Sequence, residues 1–327
     1  KDWLEELGLE IPTTRDELYN VLKTIKEKKS GVIPLTGYGG GYKEIAQTFG
    51  IINSWIEMDG KLIYRDEHPK MKEYLAFMNK LYSEGLIDDE WPINTGSIVI
   101  EKFSSGKAAV MSLAWWSAPT LKNALLKNFP DADYVTIPYL NGDSGKPMWG
   151  VNAGITYVIA IPKWAPNKEH TMNYLNTKLN EDIFKEIVIG QEGVHHYVED
   201  GKYYPILPIF NELYNNASYF LTGTDERVYP TYWQARVRKV PILQTYYEEL
   251  QALAKDIMIP DPLSNAPPIE SISQYSQTLN KFSEDTYLTY IAGAESLDTF
   301  DSFLAKWRAD GGEQMVKDAN EWYMKNK

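Results

Sequence analysis

The sequence predicts a mixed fold, α/β or α+β. Several segments place apolar residues at helical spacing between start and stop signals, and a few short apolar runs end in glycine or proline turns. The two kinds mix along the chain without strict alternation. At roughly 100–200 residues per domain, a chain of 327 residues predicts two domains, with one large domain as the alternative.

The first clear element opens at Thr14-Arg15-Asp16-Glu17, a capping box, and carries Leu18, Val21, Leu22 and Ile25 on one helical face. Lysines 26, 28 and 29 and Ser30-Gly31 end it. Val32 to Leu35 reads as a short buried strand entering the glycine-rich turn Gly37-Tyr38-Gly39-Gly40-Gly41-Tyr42, and a second helix is expected from Lys43 to Trp55. Met58-Asp59-Gly60-Lys61 is a hairpin turn. An amphipathic helix follows from Pro69 to about Glu84, with Met71, Leu75, Met78 and Leu81 on its apolar face. A helix over about Ser97 to Ser105 precedes a small-residue strand, Lys107 to Leu113, which delivers Ala114-Trp115-Trp116.

Strands are also expected over Tyr134 to Tyr139 and Ile155 to Ile161, separated by the polar loop Asn141 to Pro147, and a helix from Lys168 to about Asn180. The region from Gly190 to Pro268 is less regular and rich in Tyr and Pro, with one helix over Pro241 to Ile257 and a loop over Asp261 to Pro268. The last 50 residues return to helices, where Leu297, Phe300, Phe303, Leu304 and Trp307 share a face before Gly311-Gly312.

Composition narrows the function. The chain holds 33 Lys plus Arg against 45 Asp plus Glu, a net charge of −12, with four His and no Cys. That balance argues against wholesale binding to nucleic acid or anionic lipid, which needs clustered cations. The absence of Cys excludes disulfides, thiolate nucleophiles and Cys-ligated metal sites. No apolar run approaches the roughly 18 residues of a membrane span. Aromatic residues make up 13%, with 23 Tyr and 10 Trp. These rings offer a flat apolar face and a polar edge, which suits the alternating CH and OH surfaces of sugars, though most such side chains fill cores.

Six segments in order resemble the extracellular solute-binding proteins of ABC importers. They are Lys1 to Leu9 with Pro12-Thr13-Thr14, Lys80 to Asp88, Phe103 to Met111 with Trp116, Ile161 to Lys168, Gly190 to His196, and Asn320-Glu321-Trp322-Tyr323. The likeness is to the large lipoprotein sugar-binding branch of Gram-positive bacteria and, more distantly, to maltose-binding proteins. It implies an α/β, periplasmic-binding-protein-like fold of type II, with two lobes that close on ligand by hinge motion. Residues 1–152 would be the second lobe, 153–200 would return to the first, and 201–327 would be shared between them. It also implies a lipobox cysteine and roughly 100 or more residues ahead of the Lys-Asp-Trp segment. The chain is therefore expected to be a fragment with an incomplete first lobe.

Candidate ligand contacts follow. In an extended segment Trp115 and Trp116 point to opposite faces, so one indole can enter the core and the other the cleft; the matching family position is an aromatic contact. Tyr38 and Tyr42 flank the glycine turn, which lacks the spacing of a phosphate cradle. Trp149 and Asn152 precede the expected crossover. Tyr229, Tyr232, Trp233 and Arg236 join aromatic rings to a bidentate donor. Glu192 and His195 sit in the single His pair, with His196, where one polar contact to ligand is expected; the pattern does not match a zinc motif. The carboxylate groups Asp88-Asp89-Glu90, Glu181-Asp182 and Glu248-Glu249 are available for glycoside hydrolysis, yet their placement reads as solvated helix ends and faces. No Gly-x-Ser-x-Gly nucleophile elbow occurs.

The expected function is the non-catalytic, carbohydrate-binding component of an ABC importer, binding an oligosaccharide in an inter-lobe cleft by aromatic stacking and hydrogen bonds. Its partners would be the sugar and a membrane permease, with no nucleic acid, no metal and no cofactor, and the chain would be a monomer held outside the cell by a lipid anchor. The alternatives are a glycoside-active enzyme using paired carboxylates and an adhesion or structural module.

Overall fold

A computed structural model of the chain describes residues 1–39, 42–151, 159–214 and 229–327. The chain divides into two compact units: Lys1–Ala114, Thr120–Gly154 and Leu253–Lys327 form unit 1, and Trp115–Pro119 with Ile155–Ala252 form unit 2.

Unit 1 opens with α1 (Asp2–Leu7) and α2 (Arg15–Lys28). The expected capping box is present: Thr14 Oγ1 accepts from the Glu17 N–H, and the Glu17 carboxylate accepts from the Thr14 N–H. The four apolar residues of α2 are all buried. Next come β1 (Ile33–Thr36) and α3 (Lys43–Gln47). The expected second helix is cut short at a Thr48–Gly50 turn, because Trp55 belongs to a strand. β2 (Trp55–Met58) pairs antiparallel with β3 (Lys61–Tyr64), and Trp55 packs edge-on to Tyr64 at 5.0 Å. The turn between them places Asp59 and Gly60 at φ of 52° and 80°, the conformation that Asp-Gly pairs favour in tight hairpins.

Helices α4 (Met71–Ser83) and α5 (Gly96–Ser104) and strand β4 (Ala108–Met111) complete the first part of the unit. β4 runs parallel to β1, with Leu35 opposite Val110 and Thr36 opposite Met111, while Leu35 bridges Ile87 in parallel on its other side. This small sheet ends, at its carboxyl edge, in Gly37, Ser112 and Asp88. The chain then leaves the ladder: Trp115–Ser117 is a 3₁₀ turn, not a strand end, and it feeds α6 (Ala118–Asn128). Pro119 falls in the first turn of that helix, where a missing N–H costs nothing. Among the described residues, Tyr134 to Tyr139 pairs with no strand; Tyr134 packs edge-on to Phe103. β5 (Trp149–Val151) follows. Of the strand expected over 155–161, residues 155–158 lie outside the described residues, and among the described residues 159–161 join no ladder.

Unit 2 contains α7 (Lys168–Thr177), α8 (Glu181–Ile189), β6 (His196–Glu199), β7 (Lys202–Pro205), α9 (Ile209–Tyr214), α10 (Tyr229–Arg238) and most of α11 (Pro241–Ile257). β6 and β7 form a second hairpin around Asp200-Gly201, again with positive φ at both turn residues. Its core is Phe184, Val188, Ile189, Phe210, Tyr232 and Ala235. The chain then re-enters unit 1 through β8 (Met258–Pro260), which runs parallel to β5, and ends in α12 (Glu270–Ile291), α13 (Phe300–Trp307) and α14 (Glu313–Asn326). These helices close the larger core, where Trp307 is fully buried and stacks on Tyr64 at 5.3 Å. Among the described residues, no helix is long and apolar enough to cross a membrane.

Candidate ligand-binding surfaces

In unit 1 the carboxyl edge of the parallel sheet gathers polar chemistry around one buried acid. Asp88 Oδ2 accepts from Thr36 Oγ1 at 2.6 Å, Lys102 Nζ at 2.7 Å and Asn94 Nδ2 at 2.9 Å, and Oδ1 accepts from the Glu90 N–H at 3.1 Å. Burial opposes ionisation of Asp88, but the bonds from Lys102, Thr36 and Asn94 outweigh it and hold its carboxyl below the ordinary value. Asp88-Asp89-Glu90 is thus not one solvated run: its first member is buried and its other two are exposed. Asn94 Nδ2 also donates to the Gly37 carbonyl at 3.0 Å, and Lys102 Nζ reaches Glu90 at 2.8 Å. Asn94, itself bonded to Asp88, thus ties down the start of the loop that presents Tyr38.

Tyr38 is 49% exposed, and its ring lies 4.0 Å from where a Cβ on Gly96 would be, over the first residue of α5. Tyr42, its partner across the glycine turn, is only 4% exposed and belongs to the core, tilted against Trp91 at 6.4 Å. A Cβ at Gly37 would come within 2.6 Å of Tyr42 Cε1, so glycine is what allows this close approach. On the other side of β1, Ser112 Oγ donates to Glu44 Oε1 at 2.8 Å, with Glu44 on the first turn of α3 and exposed.

In unit 2 the tryptophan pair divides its labour. Trp116 is 66% exposed. Trp115 is half-buried and stands edge-on to Trp116, at 6.0 Å and 81°, with Tyr247 of α11 behind it at 5.4 Å. The exposed indole of Trp116 is therefore backed by Trp115, which in turn packs on Tyr247. Offset and edge-on pairs of this kind add to the area they bury, and they restrict the rotamers of the outer ring.

The other expected contacts are scattered. Arg236 is 4% exposed; its Nη1 donates to the carbonyls of Tyr214 at 2.5 Å and Val188 at 3.4 Å, and its guanidinium lies 5.7 Å from the Trp233 ring. Placed there, it ties α10 to α8 and α9 within unit 2. Tyr232 is buried in the same core, and the side chain of Tyr229 lies outside the described residues. His195 accepts the Gln191 N–H at 3.0 Å and packs edge-on to Tyr214, and His196 bonds the Ile189 carbonyl, so the His pair closes a turn. Glu192 is exposed on that turn. Trp149 is partly exposed on β5, opposite Met258, and Asn152 lies outside the described residues. Glu44, Ser112, Asn94 and Tyr247 were not singled out from sequence. Only their contacts across long sequence separations reveal them.

The chain belongs to the bacterial extracellular solute-binding proteins, whose family model matches residues 1–177. A protein of Niallia circulans, called "Uncharacterized protein in butB 5'region", is 54% identical over 251 residues, covering 77% of this chain and 98% of that protein. The polygalacturonan/rhamnogalacturonan-binding protein YtcQ of Bacillus subtilis is 24% identical across 100% of this chain and 67% of its own. Among solved structures, the S. pneumoniae ABC-transporter substrate-binding protein FusA, in complex with fructo-nystose, superposes with a TM-score of 0.72 at 18% identity. That match covers 100% of this chain and 71% of the FusA chain. It shows the fold, the type II periplasmic-binding-protein-like α/β arrangement that the resemblance implied.

Proposed function

We propose that the chain is the non-catalytic, carbohydrate-binding component of an ABC importer, taking an oligosaccharide outside the cell and handing it to a membrane permease. The observation that carries this reading is Trp116, a large exposed indole backed by Trp115, which itself packs on Tyr247. An indole presents a flat apolar face with a polar edge, and a sugar's CH face is a partner it fits. The relatives support the same reading, since YtcQ is a polygalacturonan/rhamnogalacturonan-binding protein and FusA is an ABC-transporter substrate-binding protein. Lipid anchoring to the outer face of the membrane and a monomeric state belong to the proposal. So do the lobe boundaries at 152 and 200, of which the first is supported by the exit of the chain from unit 1 after Gly154.

Stacking one indole on a pyranose or furanose removes apolar surface from water on both partners, at roughly 25 cal/mol per Å² before ordering costs. Trp116→Ala is therefore expected to weaken oligosaccharide binding at least about tenfold, or about 1.4 kcal/mol, in titration calorimetry, with the melting temperature nearly unchanged. Trp115→Ala should weaken binding less and destabilise the unit, because Trp115 supports the ring and packs on Tyr247. Unchanged binding in both variants would place the stacking surface elsewhere.

A further inference from the structure

We infer that His196 is an acid-sensitive latch in unit 2: it holds the β6–β7 hairpin on the end of α8 while its imidazole is neutral, and protonation in mild acid releases the hairpin from α8. This latch works within unit 2 and is independent of what the protein binds.

The burial pattern of the hairpin singles out His196. In β6, Tyr197, Val198 and Glu199 are exposed and His196 is 0% exposed; in β7, Lys202 is exposed and the other three residues are half-buried. A hairpin with one face on a core is ordinarily seated by apolar side chains. Here the one fully buried seat is a titratable ring. His196 tilts against Tyr203 at 5.5 Å, and Tyr203 stands edge-on to Tyr232 at 5.3 Å, so the imidazole enters the unit 2 core beside two phenol rings.

The hydrogen bonds decide which form of the ring fits. His196 Nδ1 lies 3.0 Å from the carbonyl of Ile189, the last residue of α8. A carbonyl only accepts, so Nδ1 carries the proton. Nε2 is buried and has no hydrogen-bond partner among the described residues. In the neutral ring it is a bare lone pair. In the imidazolium it becomes a charged N–H with no acceptor to meet it, and burying an uncompensated charge costs far more than burying a neutral ring.

The surrounding charges do not offset that cost. A helix C-terminus favours a cation, and the Ile189 carbonyl does so here, but the same end of α8 already takes the Arg236 guanidinium on the Val188 carbonyl at 3.4 Å. Lys185 Nζ lies 5.2 Å from the Tyr203 ring, and Arg238 donates to the Tyr203 carbonyl at 2.7 Å. Lys185 and His195 oppose a further positive charge on His196; Glu192 favours one, from an exposed position on the turn. Glu181 takes the Tyr232 hydroxyl at 3.2 Å, Tyr214 of α9 packs on His195, and Asp182, Glu186, Glu199 and Lys202 are exposed. Burial is the largest influence on His196 and holds its pKa below the ordinary 6.5. The stability conferred by the neutral ring is therefore present above 6.5 and is lost as pH falls below it.

The test is hydrogen exchange of the full chain, followed by mass spectrometry at pH 7.5 and 5.5 and corrected for the intrinsic pH dependence of exchange. Protection of residues 186–206 should fall several-fold in the wild type, up to about tenfold, the factor set by protonation of a free imidazole at the lower pH. His196→Gln, whose amide can donate to the Ile189 carbonyl and does not titrate, should keep its protection over the same range. Equal losses in the two proteins, or no loss in the wild type, would overturn the latch. Should His196→Gln fail to fold, the wild-type ring itself decides. Its NMR titration, assigned against His68→Gln, His170→Gln and His195→Gln, should give a pKa below the ordinary 6.5, and a value at or above 6.5 would overturn the inference.

Discussion

Lys102 is the residue whose loss would leave another group most exposed to penalty. Its ammonium is the cation on Asp88, whose side chain is almost wholly buried, at 2.7 Å. Breaking one partner of a buried pair strands the other, typically at about 3–5 kcal/mol, although an apolar pair of the same volume could be as stable as the intact one. Lys102→Met is expected to lower unfolding stability by about 3 kcal/mol at neutral pH, read from urea denaturation. The pH dependence has a definite sign. The folded-state pKa of Asp88 is depressed below the ordinary 3.8, so its contribution is fully present above that value and is lost as pH falls through the folded value. The wild type should therefore lose more stability than Lys102→Met as pH falls below 3.8. From sequence, Asp88 read as part of a solvated acidic run, because its partners Thr36, Asn94 and Lys102 lie up to 52 residues away. Trp116 was legible as an exposed platform candidate from its type and neighbours, but the brace from Tyr247 was not.

Single elements follow local signals closely where those signals agree. α2 starts at its capping box, buries the four residues its periodicity marks, and ends among lysines. Thr14→Ala should cost about 1 kcal/mol, seen as a lower melting temperature. The Asp59-Gly60 hairpin was equally legible, and the Asp200-Gly201 hairpin carried the same signal within a region rich in Tyr and Pro. Elements went astray where local pattern and tertiary partners conflict. The run from Lys43 to Trp55 has helical periodicity at its start, yet Trp55 N–H donates to Asp261 Oδ2 and its ring packs on Tyr64, which pulls the segment into a strand. Trp115 and Trp116 follow a true strand, but β4 has a ladder partner only as far as Thr36, so the chain turns before reaching them. A strand needs a neighbour, and that is settled by contacts distant in sequence.

At the scale of the whole molecule the ordered set of short resemblances located the family, and membership now stands on residues 1–177 and on a relative 54% identical. The remaining claim is that the protein binds an oligosaccharide and leaves it intact. Carboxylates and tryptophans serve both sugar-binding proteins and glycosidases, so residue types alone do not separate the two; turnover does. A ligand that binds the native state alone raises the melting temperature, by mass action, as its concentration exceeds Kd. The most direct measurement is a thermal-shift titration of the full chain with oligosaccharides, followed by chromatography of the recovered sugar after long incubation. The expected result is a concentration-dependent rise in melting temperature for at least one oligosaccharide, recovered at its original length. Accumulation of shorter sugars or new reducing ends, abolished by changing a carboxylate pair, would contradict the account.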